Sequence, residues 1–133
     1  RFDTAIVRPA RGEALKAGGG APGKALQALL SAVHRLQWPA IRAACTPEAQ
    51  ARFGSEYASA RENAQATREI LKVWLPAKGL KITGGELRGD TADLEITGEM
   101  YPGTQALYLA RMRKVGAVWL FDTAGMAGLL PHR

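Results

Sequence analysis

The stretch "KITGGELRGDTADLEITGEMYPGTQALYLARMRKVGAVWLFD", residues 81–122, decides the fold, because apolar and polar side chains alternate through most of it. Residues 91–100 show the pattern most clearly. The apolar positions in this segment are Ala92, Leu94, Ile96 and Met100, and the polar ones are Asp93, Glu95, Thr97 and Glu99. A period of two residues is typical of a strand with one buried face. The stretch therefore predicts an antiparallel meander.

The alternation also predicts a pairing register. We expect the first long hairpin to close through residues 101–105. The predicted cross-strand pairs are then Leu94 with Met112, Ile96 with Ala110, Asp93 with Arg113, and Glu95 with Arg111. A shift of one residue would place leucine opposite arginine and mix the two faces.

The next hairpin is expected to turn at Val115–Gly116. This turn would set Met112 opposite Trp119 and Ala110 opposite Phe121, so both aromatic side chains would face the core. The inward parity changes between Ile82 and Leu87, and a β-bulge at Gly84–Gly85 would explain that change.

Before the meander the apolar period changes to that of helices. The first buried stripe is predicted from the three-four spacing of Leu26, Leu29, Leu30, Val33 and Leu36. Pro39 predicts the start of a short second helix. Thr46 is a predicted N-cap, with Pro47 at the first helical position. A long helix from Ser59 to Leu75 is predicted to end at Pro76 and to face inward through Ala66, Ile70, Val73 and Trp74.

Together these segments predict an α+β domain, with N-terminal helices packed on the concave face of a curved four-stranded antiparallel meander. Residues 23–125 would form this domain, with helices in 23–75 and strands in 79–124. We expect a short strand in residues 1–9, a Gly/Ala-rich linker in 10–22 and a tail in 126–133. The absence of an initial Met and of a disulfide pair weakly favours a periplasmic or secreted location, although the sequence does not fix the compartment.

Composition excludes several classes of function. The net charge is +6, but basic residues are scattered along the chain and no nucleic-acid recognition motif accompanies them, so we expect no nucleic-acid partner. No apolar run reaches the roughly 20 residues of a membrane span. The single cysteine, Cys45, excludes an internal disulfide and a cysteine-based metal site.

Three segments carry a resemblance to a known family: "TPEAQARF", "KITGGELRGDTADLEITGE" and "ARMRKVGAVWLFD". Over about residues 22–125 the chain resembles the cystatin-like cone of the nuclear transport factor two-like superfamily, which includes ketosteroid isomerase, SnoaL-type polyketide cyclases and uncharacterised bacterial exported domains. The resemblance implies a cone-shaped cavity between helices and sheet. It carries no catalytic motif.

Projected onto this chain, the resemblance implies a cone lining made of Leu30, His34, Tyr57, Trp74, Ile96, Tyr108, Met112, Trp119 and Phe121. These side chains would either surround a small apolar ligand or simply fill the cone. Enzymes of the superfamily use an acid or base inside the cone, and the predicted inward strand positions carry no carboxylate. We therefore expect no catalytic residue, no metal site and no cofactor.

The predicted outer face of the sheet suggests a different function. It carries Leu107, Leu109, Val118 and Leu120 among the charged residues. Apolar side chains on the face without helices need a cover. The leading hypothesis is a non-catalytic accessory domain that associates through this face, as a homodimer or with another protein domain. Binding of a small apolar ligand in the cone is the alternative, and an acid–base isomerase or cyclase activity is a third.

Overall fold

A computed structural model describes residues 12–53 and 59–130 of the chain. Within these ranges the fold is α+β, with four helices and an open, five-stranded antiparallel sheet. The helices are α1 (Gly20–His34), α2 (Trp38–Ala43), α3 (Pro47–Phe53) and α4 (Ala60–Trp74). The strands are β1 (Glu13–Leu15), β2 (Lys78–Arg88), β3 (Thr91–Tyr101), β4 (Thr104–Val115) and β5 (Val118–Leu129), and they neighbour one another in that order.

Each end of the sheet differs from the prediction. The segment predicted as a linker, residues 10–22, contains β1 and the first turn of α1, and β1 pairs with β2 through Glu13 and Leu87. The sheet thus has a fifth strand that composition did not reveal. At the other end β5 continues to Leu129, inside the predicted tail. The predicted strand in residues 1–9 lies outside the described residues.

The helix boundaries follow the predicted signals. Pro39 lies in the first turn of α2. The Thr46 hydroxyl accepts a hydrogen bond from the Ala49 amide at 3.1 Å, which confirms Thr46 as the N-cap of α3. The Ser59 hydroxyl accepts in the same way from the Glu62 amide, and α4 ends two residues before Pro76.

The buried face of α4 is rotated from the predicted one. Val73 is 76% exposed, whereas the buried positions are Asn63, Ala64, Thr67 and Leu71. Hydrophobicity alone missed this stripe because two of its members are polar. The Thr67 hydroxyl donates a hydrogen bond to the Asn63 carbonyl at 3.0 Å. Thr67 can therefore be buried in the core with its hydroxyl satisfied.

The side chains of the meander lie on the predicted sides of the sheet, but the residues that pair across the strands differ from the predicted ones. Leu94 pairs with Ala110 and not with Met112, and Arg111 pairs with Asp93 and not with Glu95. The hairpin turns through only Pro102 and Gly103, with a bulge at Met100, and Gly103 takes a positive φ of 84°. The tighter turn moves the register by two residues. Because side chains alternate with a period of two, every residue keeps its face.

The following hairpin shows the same shift. Its turn is Gly116–Ala117, so Met112 pairs with Phe121, where the prediction placed Trp119. Phe121 is fully buried, as predicted, while Trp119 is only partly buried at the border of the core. The parity change in β2 is also present, with the register shift at Thr83, one residue before the predicted Gly84–Gly85.

We predict that Phe121→Ala destabilises the protein by about 3–5 kcal/mol, because it removes an aromatic ring from the centre of the core. Val118→Ala, three residues earlier on the same strand and 57% exposed, should change stability by less than about 0.5 kcal/mol. Urea unfolding followed by tryptophan fluorescence measures both. Equal effects of the two substitutions would contradict the assignment of the faces.

Candidate functional site: the outer face of the sheet

The sheet presents its outer face, the side away from the helices, with a distinct chemistry on each strand. On β3 the outward residues are acidic or hydroxylated: Asp93, Glu95, Thr97 and Glu99. On β4 they are leucine and arginine: Leu107, Leu109, Arg111 and Arg113. The cross-strand pairs continue these rows onto β5, where Thr123, Gly125 and Gly128 lie opposite Arg111, Leu109 and Leu107. On the outer face β3 is therefore acidic, β4 is apolar and basic, and the second half of β5 carries small residues.

The four residues predicted for an interface, three leucines and one valine, do lie on this face, but their exposure differs. Leu109 is 43% exposed and Val118 is 57% exposed, whereas Leu107 and Leu120 are partly buried by their neighbours on the sheet. Val115, which pairs with Val118, is exposed as well. The apolar side chains thus form two groups, Leu107 with Leu109 and Val115 with Val118 and Leu120, and Arg111 and Arg113 separate these groups on β4.

A shallow groove of about 410 Å³ runs along the β4–β5 side of this face. Its lining consists of Asp93, Leu109, Arg111 and the β5 residues from Thr123 to Ala127. Gly125 belongs to this lining, and a Cβ atom placed there would meet no other atom within 4 Å, so the space above it is open. A Cβ atom placed at Gly128 would also meet no other atom within 4 Å. Both glycines leave open space directly beside the two leucines of β4.

One ion pair bounds the groove. Arg111 Nε donates to Asp93 Oδ1 at 2.8 Å, and Arg111 Nη2 donates to Asp93 Oδ2 at 3.3 Å. This two-point contact raises the pKa of the Arg111 guanidinium, through the hydrogen bond first and the charge of Asp93 second. Arg113 lies 3.5 Å from Glu48 Oε1. Both arginines of β4 therefore already have a carboxylate nearby.

The residues predicted to line a cone lie mostly within the packed interior. Phe121 and Met112 have no accessible surface, and Tyr108 retains only 2%. A side chain without accessible surface lines no cavity that holds water, so the interior is filled at Met112 and Phe121. Burial raises the pKa of the Tyr108 phenol.

Aromatic rings account for much of this filling. The Phe53 ring lies 5.4 Å from that of Trp74 and 6.2 Å from that of Phe121, and Trp74 lies 6.2 Å from Phe121. Centroid separations of 4.5–7 Å are those of interacting aromatic pairs. Trp74 and Trp119 are both partly buried and pack against the hydrophobic core.

His34 does not join the predicted lining. It is exposed in the last turn of α1, because a helix rotates about 100° per residue and His34 follows the buried Val33 directly. Tyr57 lies outside the described residues. Seven of the nine residues that the resemblance implied for the lining therefore lie in the core or at its border.

A polar junction at β5 was missed by the sequence reasoning. Asp122 occupies a bulge between the pair of Arg111 with Thr123 and the pair of Met112 with Phe121. The Thr46 hydroxyl donates to Asp122 Oδ1 at 2.9 Å, and Arg113 Nη1 lies 3.9 Å from the same oxygen. The Asp122 carboxylate thus lies between the start of α3 and Arg113 of β4, and its hydrogen bond with Thr46 ties α3 to the sheet.

Groups that could support a cofactor or metal are sparse. Among residues 12–53 and 59–130, no three histidine, cysteine or acidic side chains converge as a metal site would require. No helix in these ranges is long and apolar enough to cross a membrane. Comparison with known protein families, with curated proteins and with solved structures finds no match to this chain.

Gly125 and Gly128 were not predicted as strand residues, because the predicted strands end at residue 124 and the predicted tail begins at residue 126. The signal was present in "TAGMAGLL", residues 123–130, where eight uncharged residues with two glycines follow the last recognised strand. Its alanine and glycine side chains are too small for a hydrophobic pattern to show that the segment forms a strand.

We predict that Thr46→Val destabilises the protein by about 1–2 kcal/mol, because valine keeps the shape but removes the cap of α3 and the hydrogen bond to Asp122. Thr46→Ser keeps the hydroxyl and is the control. Chemical denaturation of the three proteins measures the difference. A valine variant as stable as the serine variant would show that the junction contributes nothing.

We also predict that Cys45 is unreactive in the native protein. Burial raises the pKa of its thiol from 9.0 to about 12, so almost no thiolate exists at pH 8. Ellman's reagent should label Cys45 within seconds in 6 M guanidinium chloride and only on the timescale of unfolding without denaturant. Rapid labelling of the native protein would contradict the placement of Cys45 beside Phe121.

Proposed function

We propose that this chain is a non-catalytic interaction domain that associates with a protein partner through the outer face of its sheet. The observation that carries the proposal is the pair of leucines on β4, Leu107 and Leu109, beside the open groove on β5. A sheet covered by helices on one side normally has polar residues on the other. Apolar side chains beside a concave surface instead favour a docking site.

The charges on the outer face favour protein over nucleic acid as the partner. Arg111 makes two hydrogen bonds with Asp93, and β3 also carries Glu95 and Glu99 on the same face. A nucleic-acid surface needs basic side chains that are free to contact phosphates. A mixed acidic and basic face with an apolar strand is typical of a protein interface, where charges select the partner and its orientation.

The proposal includes membership in the nuclear transport factor two-like superfamily and a cone-shaped arrangement of helices over the sheet. Four helices packed on one face of a long, bulged antiparallel meander fit that arrangement. The complete burial of Met112 and Phe121 supports association over ligand binding, since a small ligand in the cone would require open volume beside them.

A position-specific cross-linker tests the proposal. A photoreactive p-benzoylphenylalanine at position 109 should yield an adduct in cells that produce the full chain, because the side chain would lie against the partner. The same group at position 73, on the exposed side of α4, is the matched control and should yield none. Equal adducts from both positions, or none from position 109, would contradict association through this face.

A further inference from the structure

β5 forms one border of the sheet, and the middle of its free edge is already occupied. The Phe121 amide donates to the Ala44 carbonyl at 2.8 Å, and the Phe121 carbonyl accepts from the Thr46 amide at 2.9 Å. These are the bonds of a short parallel bridge. Arg52 Nη1 then donates to the Asp122 carbonyl at 3.4 Å. The edge of β5 therefore accepts an extended backbone segment at this point.

The next part of the edge, residues 123–129, has no strand beside it among residues 12–53 and 59–130. Residues two apart on a strand direct their amide and carbonyl groups to the same side. Three residues of β5 pair with β4 residues that precede Met112, the partner of Phe121, in steps of two. They are Ala124 with Ala110, Met126 with Tyr108, and Leu129 with Ala106. Their backbone groups therefore point away from β4, as those of Phe121 do.

Apolar side chains flank this edge on both sides of the sheet. Met126 and Leu129 pair with buried residues of β4, so they project to the helix side, yet 49% and 60% of their surfaces are exposed. On the outer side Gly125 leaves open the groove beside Leu109. A strand beside β5 would cover Met126 on one side and fill the groove on the other.

The sequence of this edge contains little that would exclude another strand. Edge strands are commonly protected by a charged side chain, a proline or a bulge. Residues 123–130 contain no charged residue and no proline. The bulges of β5 lie at Asp122 and Ala127, so residues 123–126 between them keep a regular pairing with β4. This short stretch is therefore open to pairing on its other side.

We propose that the free edge of β5 binds an extended segment of a partner protein, which joins the sheet as a further strand. The inference rests on the proposed function and names the form of the partner. Ala124 and Met126 would each donate and accept one hydrogen bond with the backbone of the segment. The side chain opposite Gly125 would enter the groove toward Leu109, and its neighbours would cover Met126. The segment is uncharged and apolar at these positions.

A peptide with a selectively blocked backbone tests this pairing. The probe is about seven residues long, the length of the edge from Thr123 to Leu129, and has a run of valines between terminal serines. N-methyl groups on alternate amides leave it one pairing edge, which prevents growth into a larger sheet. The control peptide is methylated on every amide, so it keeps the side chains and has no donor.

Fluorescence anisotropy of the labelled peptides with the purified full chain measures their affinity. The probe should bind with a dissociation constant below about 1 mM, and the control should bind at least tenfold more weakly. Met126→Pro removes an outward amide and no hydrogen bond to β4, so it should also weaken probe binding at least tenfold. Met126→Val keeps the amide and is the matched control. If Met126→Pro does not fold, the two peptides decide the question with the wild type.

Hydrogen exchange followed by NMR locates the contact. In the free full chain the amides of Ala124 and Met126 should exchange rapidly, and saturating probe should slow them at least tenfold. The amide of Gly125, which points to β4, should change little. Slow exchange of Ala124 and Met126 in the free chain would show that the edge is already covered, by the chain itself or by a second copy, and would overturn the inference.

The possible results separate this inference from the proposed function. Binding of the probe and not of the control, with protection at Ala124 and Met126, supports it. Equal binding of both peptides, no binding at about 1 mM, or protection centred on another element overturns it. If benzoylphenylalanine at position 109 gives the same adduct in the Met126→Pro and Met126→Val chains, the partner docks on the outer face without joining the edge. The proposed function then stands and this inference fails.

Discussion

Phe121 connects the two layers of this protein, and the rest of the structure depends on that connection. Its amide donates to the Ala44 carbonyl at 2.8 Å, and its carbonyl accepts from the Thr46 amide at 2.9 Å, so the segment between α2 and α3 joins the edge of β5. Its ring stacks between the helices and the sheet, against Phe53 and Trp74. One residue thus fixes the position of the helices through its backbone and fills the interior through its side chain. Asp122, the next residue, adds the hydrogen bond to Thr46.

This connection also determines which surface remains available. With the helices fixed over one face, the interior at Met112 and Phe121 is closed, and the opposite face has no layer of its own among the described residues. A two-layer α+β domain buries one face of its sheet and leaves the other to be solvated or to be covered by a partner. Leucines on β4 and glycines on β5 are poorly suited to solvation, and they are well suited to contact with another surface. The same packing therefore accounts for both the filled core and the exposed apolar groove.

The faces of the strands could be predicted from the sequence, whereas their partners could not. Alternation places Leu94 and Asp93 on opposite sides of the sheet for any turn length. The pairing register depends on where the chain turns, and the turn at Pro102–Gly103 is tighter than predicted. β1 was missed because its three residues have no alternating pattern, and its pairing with β2 is a long-range contact. The buried stripe of α4 was misassigned because Thr67 satisfies its own hydroxyl inside the core. The groove was not predicted because it lies beside glycine. A residue without a side chain leaves no trace in the hydrophobic pattern of the sequence. The outward position of Leu109 followed from the alternation alone.

The central claim is that the outer face around β4 and β5 is the surface through which this protein works. An NMR titration of the labelled wild type with the protein captured through position 109 tests it most directly, because each backbone amide reports on its own surroundings. We expect shifts that grow with added partner and are confined to residues 107–111 and 123–128, with the amides of α1 and α4 unchanged. Shifts centred on the helices, or β4 and β5 amides that do not change when the partner is added, would contradict it.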